Sequence, residues 1–332
     1  MRFNLFTTLS FLAFSHAAQF KGVNDPWSFD VGVDEKADWM SGIDDSILLS
    51  QLSIPGTRHS MADNLELESM QTQNVHLQQQ LIGGIRYIDV TCLIINGDLM
   101  VYHGHHKTGH SFWNVLTTLY NFLDVHSRET VILRVTKGSL SDSLEDFTRL
   151  FHEYLSPDHR LGAYITPHVY YKGPAGIDTV PTLADVRGKI FILQDFASQA
   201  PSLYGLPWNS HLVSSRLLAS NRHPKSYVVE SLAVKTHVMS LSNRNMRKLY
   251  VTEASNSDGA AKPSEFSTST VDVKMNNQLG TCLSKASMND RGEYLLNGKI
   301  VNVGIVAMEY PGKSLVEQIL KLNDLYRASQ VA

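Results

Sequence analysis

The chain has 332 residues, with 29 Lys and Arg against 32 Asp and Glu and a formal net charge of −3. That length allows one large α/β domain with a full core or two smaller domains. It contains no basic tract of the kind that binding a phosphate backbone requires, so nucleic acid is not an expected partner.

Residues 1–18 read as a secretory signal. Arg2 is the charged end, an apolar run extends from Phe3 to Phe14, and the small residues Ser15 and Ala17 stand where cleavage would occur. The run is too short to span a bilayer, and no later apolar stretch is long enough either. The expectation is a secreted chain that begins near Ala18 or Gln19, with residues 19–332 forming one unit. Cys92 and Cys282 are the only cysteines, and the sequence leaves open whether they pair or stay as buried thiols.

Short β-branched runs then alternate with helical patterns, the layout of parallel strands covered by outer helices. Expected strands are Leu52–Ile54, Tyr87–Val90, Met100–His103, Val131–Val135, Ile190–Leu193, Leu249–Thr252 and Val303–Met308. Three helices show apolar residues at spacings of three and four. They begin at Ser111 (Phe112, Val115, Leu116, Leu119, Phe122, Leu123), at Leu144 (Phe147, Leu150, Phe151, Tyr154) and at Leu315 (Val316, Ile319, Leu320). Ala197–Pro207 and the polar stretch Glu253–Ser269 read as loops.

Four blocks carry the chemistry. They are Ser53-Ile54-Pro55-Gly56-Thr57-Arg58-His59-Ser60, Gly84-Ile85-Arg86-Tyr87-Ile88-Asp89-Val90, Val101-Tyr102-His103-Gly104-His105 and Glu129-Thr130-Val131-Ile132-Leu133. In order and spacing they resemble the X region of the phosphatidylinositol-specific phospholipase C family, with an X-domain-like core at about 45–195. The resemblance implies a single irregular TIM-type (β/α)8 barrel of the phospholipase C-like phosphodiesterase superfamily, with its pocket at the carboxyl ends of the strands.

It also implies a reaction in which a ring hydroxyl attacks phosphorus. A base takes its proton, an acid protonates the departing glycerol oxygen, and a cation balances the phosphoryl charge. In the family the acid and base are histidines. Here the first of these positions is Arg58, whose guanidinium cannot accept a proton near neutral pH, and His59 follows it. His103 matches the second. Asp89 matches the carboxylate of the second strand. Thr91, two residues on, supplies neither a guanidinium nor a second carboxylate, so neither calcium nor any other cofactor is expected. Glu309 matches the carboxylate of the last strand and, beside Arg58, is expected to form a buried ion pair. Lys137 is a candidate phosphate contact.

Two substitutes for the missing base present themselves. A changed turn would bring His59 inward, with Arg58 taking the phosphate. Alternatively His103, His105, His106 and His110 would gather an ion, although turn histidines without a metal are the default. Tyr204 and Trp208 flank a loop suited to peripheral membrane contact or to packing on the barrel. The two functional readings are thus a secreted phosphoric-diester hydrolase or lyase acting on inositol phospholipids or related diesters, and a silent barrel that binds a phosphorylated ligand or cell-surface partner through Arg58, His103 and Lys137.

Overall fold

The computed structural model describes residues 26–327 apart from 30, 33–35, 68–69, 139–142, 159–161, 174–175, 199–203, 219–244, 255–274 and 297. The expected signal segment lies outside the described residues, as do residues 255–269 of the expected polar loop.

The strands are β1 (Ile54–Thr57), β2 (Tyr87–Ile95), β3 (Asp98–His103), β4 (His106–Ser111), β5 (Thr130–Lys137), β6 (Lys189–Asp195), β7 (Leu206–Pro207), β8 (Val213–Leu218), β9 (Leu249–Ala254), β10 (Ser287–Met288), β11 (Tyr294–Leu296), β12 (Lys299–Ile300) and β13 (Ile305–Met308). Ten of them form one sheet, eight along the path β7-β6-β5-β2-β1-β13-β9-β8, with β3 and β4 joined to it through β2. Every pairing along that path is parallel. This is the strand set of the expected TIM-type barrel, and the pairings among described residues run from β7 to β8. Met100–His103 belongs to β3, which is not a barrel strand. It runs antiparallel to β2 and turns back into β4, so the second motif histidine sits at the tip of a hairpin.

Alternation along the strands sorts side chains onto two faces. Ile88, Val90, Val131, Leu133, Ile190 and Ile192 pack in one apolar cluster with the outer helices. Tyr87, Ile132, Phe191, Leu193, Val251, Ile305 and Ala307 pack in another, inside the curled sheet. Gly56 belongs to this inner layer for a steric reason: a Cβ there would lie 2.7 Å from Cβ of Tyr87. By the same parity Asp89, Arg134, Asp195 and Glu253 follow inward residues at the carboxyl ends of their strands.

The outer layer holds α1 (Leu77–Ile82), α2 (Phe112–Val125), α3 (Leu144–Leu155), α4 (Gly162–Ile165), α5 (Leu183–Val186), α6 (Met275–Ser284) and α7 (Lys313–Leu320). Ser111 and Ser143 cap α2 and α3, each hydroxyl accepting from the backbone N–H three residues on. The apolar stripes expected for these two helices are the faces that are buried. Cys92 and Cys282 are both free thiols, buried in separate clusters.

Beneath the barrel, Arg86 and Glu129 form an ion pair whose side chains are both fully buried. Arg86 Nε donates to Glu129 Oε2 at 2.9 Å and Nη1 donates to the carbonyls of Leu81 and Ile85. The backbone N–H of Met40 donates to Glu129 Oε1 at 2.9 Å. Removing one partner strands a buried charge, whereas replacing both with apolar groups does not. Glu129→Gln is expected to cost about 3–5 kcal/mol in urea denaturation, and the Arg86→Met, Glu129→Leu pair clearly less. Equal losses in the single and the paired variants would mean that the ion pair is not what holds this end.

Candidate active site

The inward charges converge on Arg134 of β5. Its Nη2 lies 2.7 Å from Asp195 Oδ2, and its Nη1 lies 3.2 Å from Glu253 Oε1 and 3.7 Å from Asp89 Oδ1. Thr136 Oγ1 also donates to Asp195 Oδ2. The guanidinium stacks on Trp208, 3.9 Å from the ring centroid. Burial works against its charge, but Asp89, Tyr87, Glu253 and Asp195 hold it firmly protonated. The Glu253 carboxyl is raised above its ordinary value by burial, against the pull of Arg58 and Arg134.

A second guanidinium enters from the turn after β1. Arg58 Nη1 lies 3.0 Å from Glu253 Oε2. The sequence reading gives Arg58 the carboxylate of Glu309; the structure gives it Glu253, from a different strand. Glu309 follows β13 and is buried, and its carbonyl accepts from Asn276 Nδ2 at 3.0 Å.

His59 adopts φ +45, a left-handed conformation that is uncommon for a residue with a side chain. A dense polar scaffold holds it there. Arg58 N–H donates to Met308 O. Gln73 Nε2 donates to Arg58 O at 2.8 Å, and Thr72 Oγ1 reaches the carbonyls of Arg58 and His59. Gln80 Nε2 donates to Ser60 O, and Ser60 Oγ accepts from Asp89 N–H at 2.9 Å. The reversed curvature sends consecutive side chains to opposite walls of the mouth: Arg58 to β9, His59 to the tip of β3.

There the imidazoles of His59 and His103 stack, with centroids 3.8 Å apart and planes inclined by 23°. His103 Nδ1 lies 2.7 Å from the carbonyl of Met70. A carbonyl only accepts, so Nδ1 carries hydrogen and Nε2 is the nitrogen left for exchange. Burial lowers the His103 pKa below its ordinary value, Arg58 and His106 push the same way, and the Met70 carbonyl and Asp89 oppose them. His59 is driven down further, by burial first and then by the charges of His103, Arg58 and Arg134. Its Nδ1 is buried without a hydrogen-bond partner among the described residues.

The other expected residues sort plainly. Asp89 belongs to the collar of carboxylates around Arg134, with Asp195 and Glu253. Lys137 is half-buried at the end of β5. Thr91 sits within the sheet, paired with Tyr102 and Thr136. Of the histidine cluster, His110 turns to Asp63 and His103 to Met70. Tyr204 and Trp208 are buried, against Phe151 and under Arg134, so the two aromatics offered for membrane contact are packing residues. Beside Asp195, residues Gln194, Phe196, Ser198, Pro207 and Asn209 line a cavity of about 370 Å³, at the lower end of small-ligand sites.

Sequence reading passes over Arg134, Asp195 and Glu253. The signal for the first two is their position, two residues beyond an inward apolar residue at a strand end. Glu253 is hidden because it reads as the start of a polar loop, whereas it lies within β9, one residue before its end.

Residues 59–195 match the family described as phosphatidylinositol-specific phospholipase C, X domain. The chain is 27% identical over 310 residues to 1-phosphatidylinositol phosphodiesterase of Listeria monocytogenes, an alignment covering 86% of this chain and 84% of that protein. The Staphylococcus aureus protein of the same name is 26% identical over 161 residues, 46% of this chain and 49% of its own. Among solved structures, the phosphatidylinositol-specific phospholipase C of Listeria monocytogenes superposes with a TM-score of 0.69 at 23% identity, covering 87% of this chain and 99% of that one. The Staphylococcus aureus enzyme gives 0.66 at 18% identity, covering 86% and 97%. At those identities the superpositions speak to the fold. The aligned sequence adds the motif blocks around the mouth, and residues 59–195 form an X domain of the phosphatidylinositol-specific phospholipase C family.

Proposed function

We propose that the chain is a secreted phosphodiesterase that cleaves an inositol phospholipid or a related phosphodiester, with His59 as base and His103 as acid. The activity named for its Listeria and Staphylococcus relatives supports the substrate class. The observation that carries the assignment is the stack of His59 on His103 with Arg58 beside it. Two imidazoles in contact do not both hold a charge, and His59 is the one pushed further toward neutrality. A neutral imidazole is a base, and its neighbour keeps the proton.

In the proposed reaction His59 removes the proton of the attacking ring hydroxyl. That oxygen bonds to phosphorus as the bond from phosphorus to the glycerol oxygen breaks, and His103 gives its Nε2 proton to the departing oxygen. Arg58, at the mouth, faces the phosphoryl oxygens, while Arg134, gripped by three carboxylates, keeps the wall in place.

With an inositol phospholipid as substrate, His103→Ala and His59→Ala are each expected to lower kcat by about 10²-fold to 10⁴-fold. They are expected to fall by less than the product of the two when combined, because the pair acts as a unit. A wild-type protein that binds the lipid without turnover would instead establish the silent reading.

The acid works protonated and the base works neutral, and both pKa values lie below 6.5. The value of kcat/KM is therefore expected to be highest below pH 6.5 and to fall about tenfold per pH unit above the His103 pKa. A profile that is level between pH 6 and 8 would remove His103 from the acid role.

A further inference from the structure

The nitrogen that His103 presents depends on Met70, a 3-10 residue whose own N–H donates to the carbonyl of Leu67. The amides of Thr72 and Gln73 both donate to the carbonyl of Ala62. The next residue, Asp63, has a side chain that is only 2% exposed. Its Oδ2 accepts from His76 Nδ1, in the turn entering α1, and its Oδ1 lies 3.6 Å from His110 Nε2, on β4. His76 and His110 are the titratable groups that face Asp63. One buried carboxylate thus joins the segment carrying Met70, the start of α1 and the hairpin carrying His103.

We propose that Asp63 is a positioning residue for His103: clasped by His76 and His110, it fixes the segment whose Met70 carbonyl selects the Nδ1–H form of that imidazole. The proposal rests on the reading of His103 as the acid, since only an imidazole with Nε2 toward the mouth can deliver a proton there. It uses no group already placed in the catalytic machinery. It also explains the burial of a carboxylate that the reaction does not touch, since an unpaired charge there would be costly.

The clasp has a pH window. Burial works to raise the Asp63 pKa, but His110 and His76 outweigh it and bring the group to about 2. The His76 pKa is raised by its hydrogen bond to Asp63, against burial. The Asp63 contribution is present above about pH 4 and lost as pH falls through about 2; the His76 contribution is present below about 6.5 and lost as pH rises through its raised value. The clasp is therefore closed in mild acid, where the proposed acid is also protonated, and loosens on the alkaline side.

The test is nuclear magnetic resonance of the full chain, which needs no turnover. In the wild type the His103 nitrogens are expected to report one neutral form, with hydrogen on Nδ1, and protection of the Thr72 and Gln73 amides is expected to decline between pH 6 and 9. Asp63→Asn is expected to give mixed neutral forms of His103, to lower that protection by about ten- to hundredfold and to abolish its pH dependence. His76→Gln, a milder change, is expected to remove the pH dependence while keeping part of the protection. Should Asp63→Asn fail to fold, His76→Gln and the wild-type pH series decide. A His103 that keeps a single form in a folded Asp63→Asn, or wild-type protection indifferent to pH with His76→Gln unchanged, would overturn the clasp. Loss of lipid cleavage alone bears on the catalytic reading and leaves these signals where they are.

Discussion

The geometry of the mouth follows from one contact, between Arg134 on β5 and Glu253 on β9. Three strands, β2, β1 and β13, lie between them in the sheet. In a flat sheet at about 4.8 Å per strand the two backbones would be about 19 Å apart, yet the side chains meet at 3.2 Å. The sheet must roll around the pair for this to happen. Rolling brings the inward ends of β2, β5, β6 and β9 to one point, where four charges of both signs are cheaper together than any one of them alone. The collar and the curvature therefore imply each other, and Trp208 closes the face of Arg134 that no carboxylate covers.

That collar also relocates a charge. The end of β2 carries Thr91, which has none to offer, but the ladder sets Asp89 of β2 directly beside Arg134 of β5. A guanidinium from the neighbouring strand thus stands at the level where the sequence motif falls silent. Because it is shared among Asp195, Glu253 and Asp89, it is poorly placed to hold a substrate oxygen as well. Arg58 reaches the same Glu253 from the turn after β1, on its other carboxylate oxygen.

The strands and the outer helices were legible because both are short-range events: a period of two in Val131–Val135 and a period near 3.6 in Phe112–Leu123. The four motif blocks were legible because each lies within a single turn or strand. What escaped was long-range or masked by composition. Arg134 and Glu253 are 119 residues apart, and nothing local in either marks the other. Helix α6 hides in Met275–Ser284, whose buried face of Met275, Leu279, Cys282 and Leu283 is interrupted by Asn276, itself buried. The hairpin β3–β4 was misplaced because alternation identifies a strand without saying whether its partner runs parallel or antiparallel. The partner of Arg58 was misassigned because proximity in a motif is a weaker guide than the side on which a turn releases its side chain.

The turn after β1 decides what the chain does with having arginine where a base is expected. A conventional conformation at residue 59 would send its side chain away from the mouth and leave Arg58 as the only group entering it from this turn. With φ of +45 at His59, strain of the order of 1–3 kcal/mol is accepted. Gln73, Gln80, Thr72 and Ser60 offset it with hydrogen bonds that also tie the turn to β13, α1 and β2. In exchange, two adjacent residues divide one role: the guanidinium takes the wall of β9, and the imidazole takes the wall of β3 against His103. His59 and His103 then share a wall, and both imidazoles are pushed toward neutrality, each by burial first and then by neighbouring charges: His103 and Arg58 act on His59, and Arg58 and His106 on His103. A pair placed this way is suited to exchanging protons along one wall while the Arg58–Glu253 ion pair stands on the other, and His59 Nδ1, buried without a hydrogen-bond partner among the described residues, is the polar atom of that wall left to be satisfied.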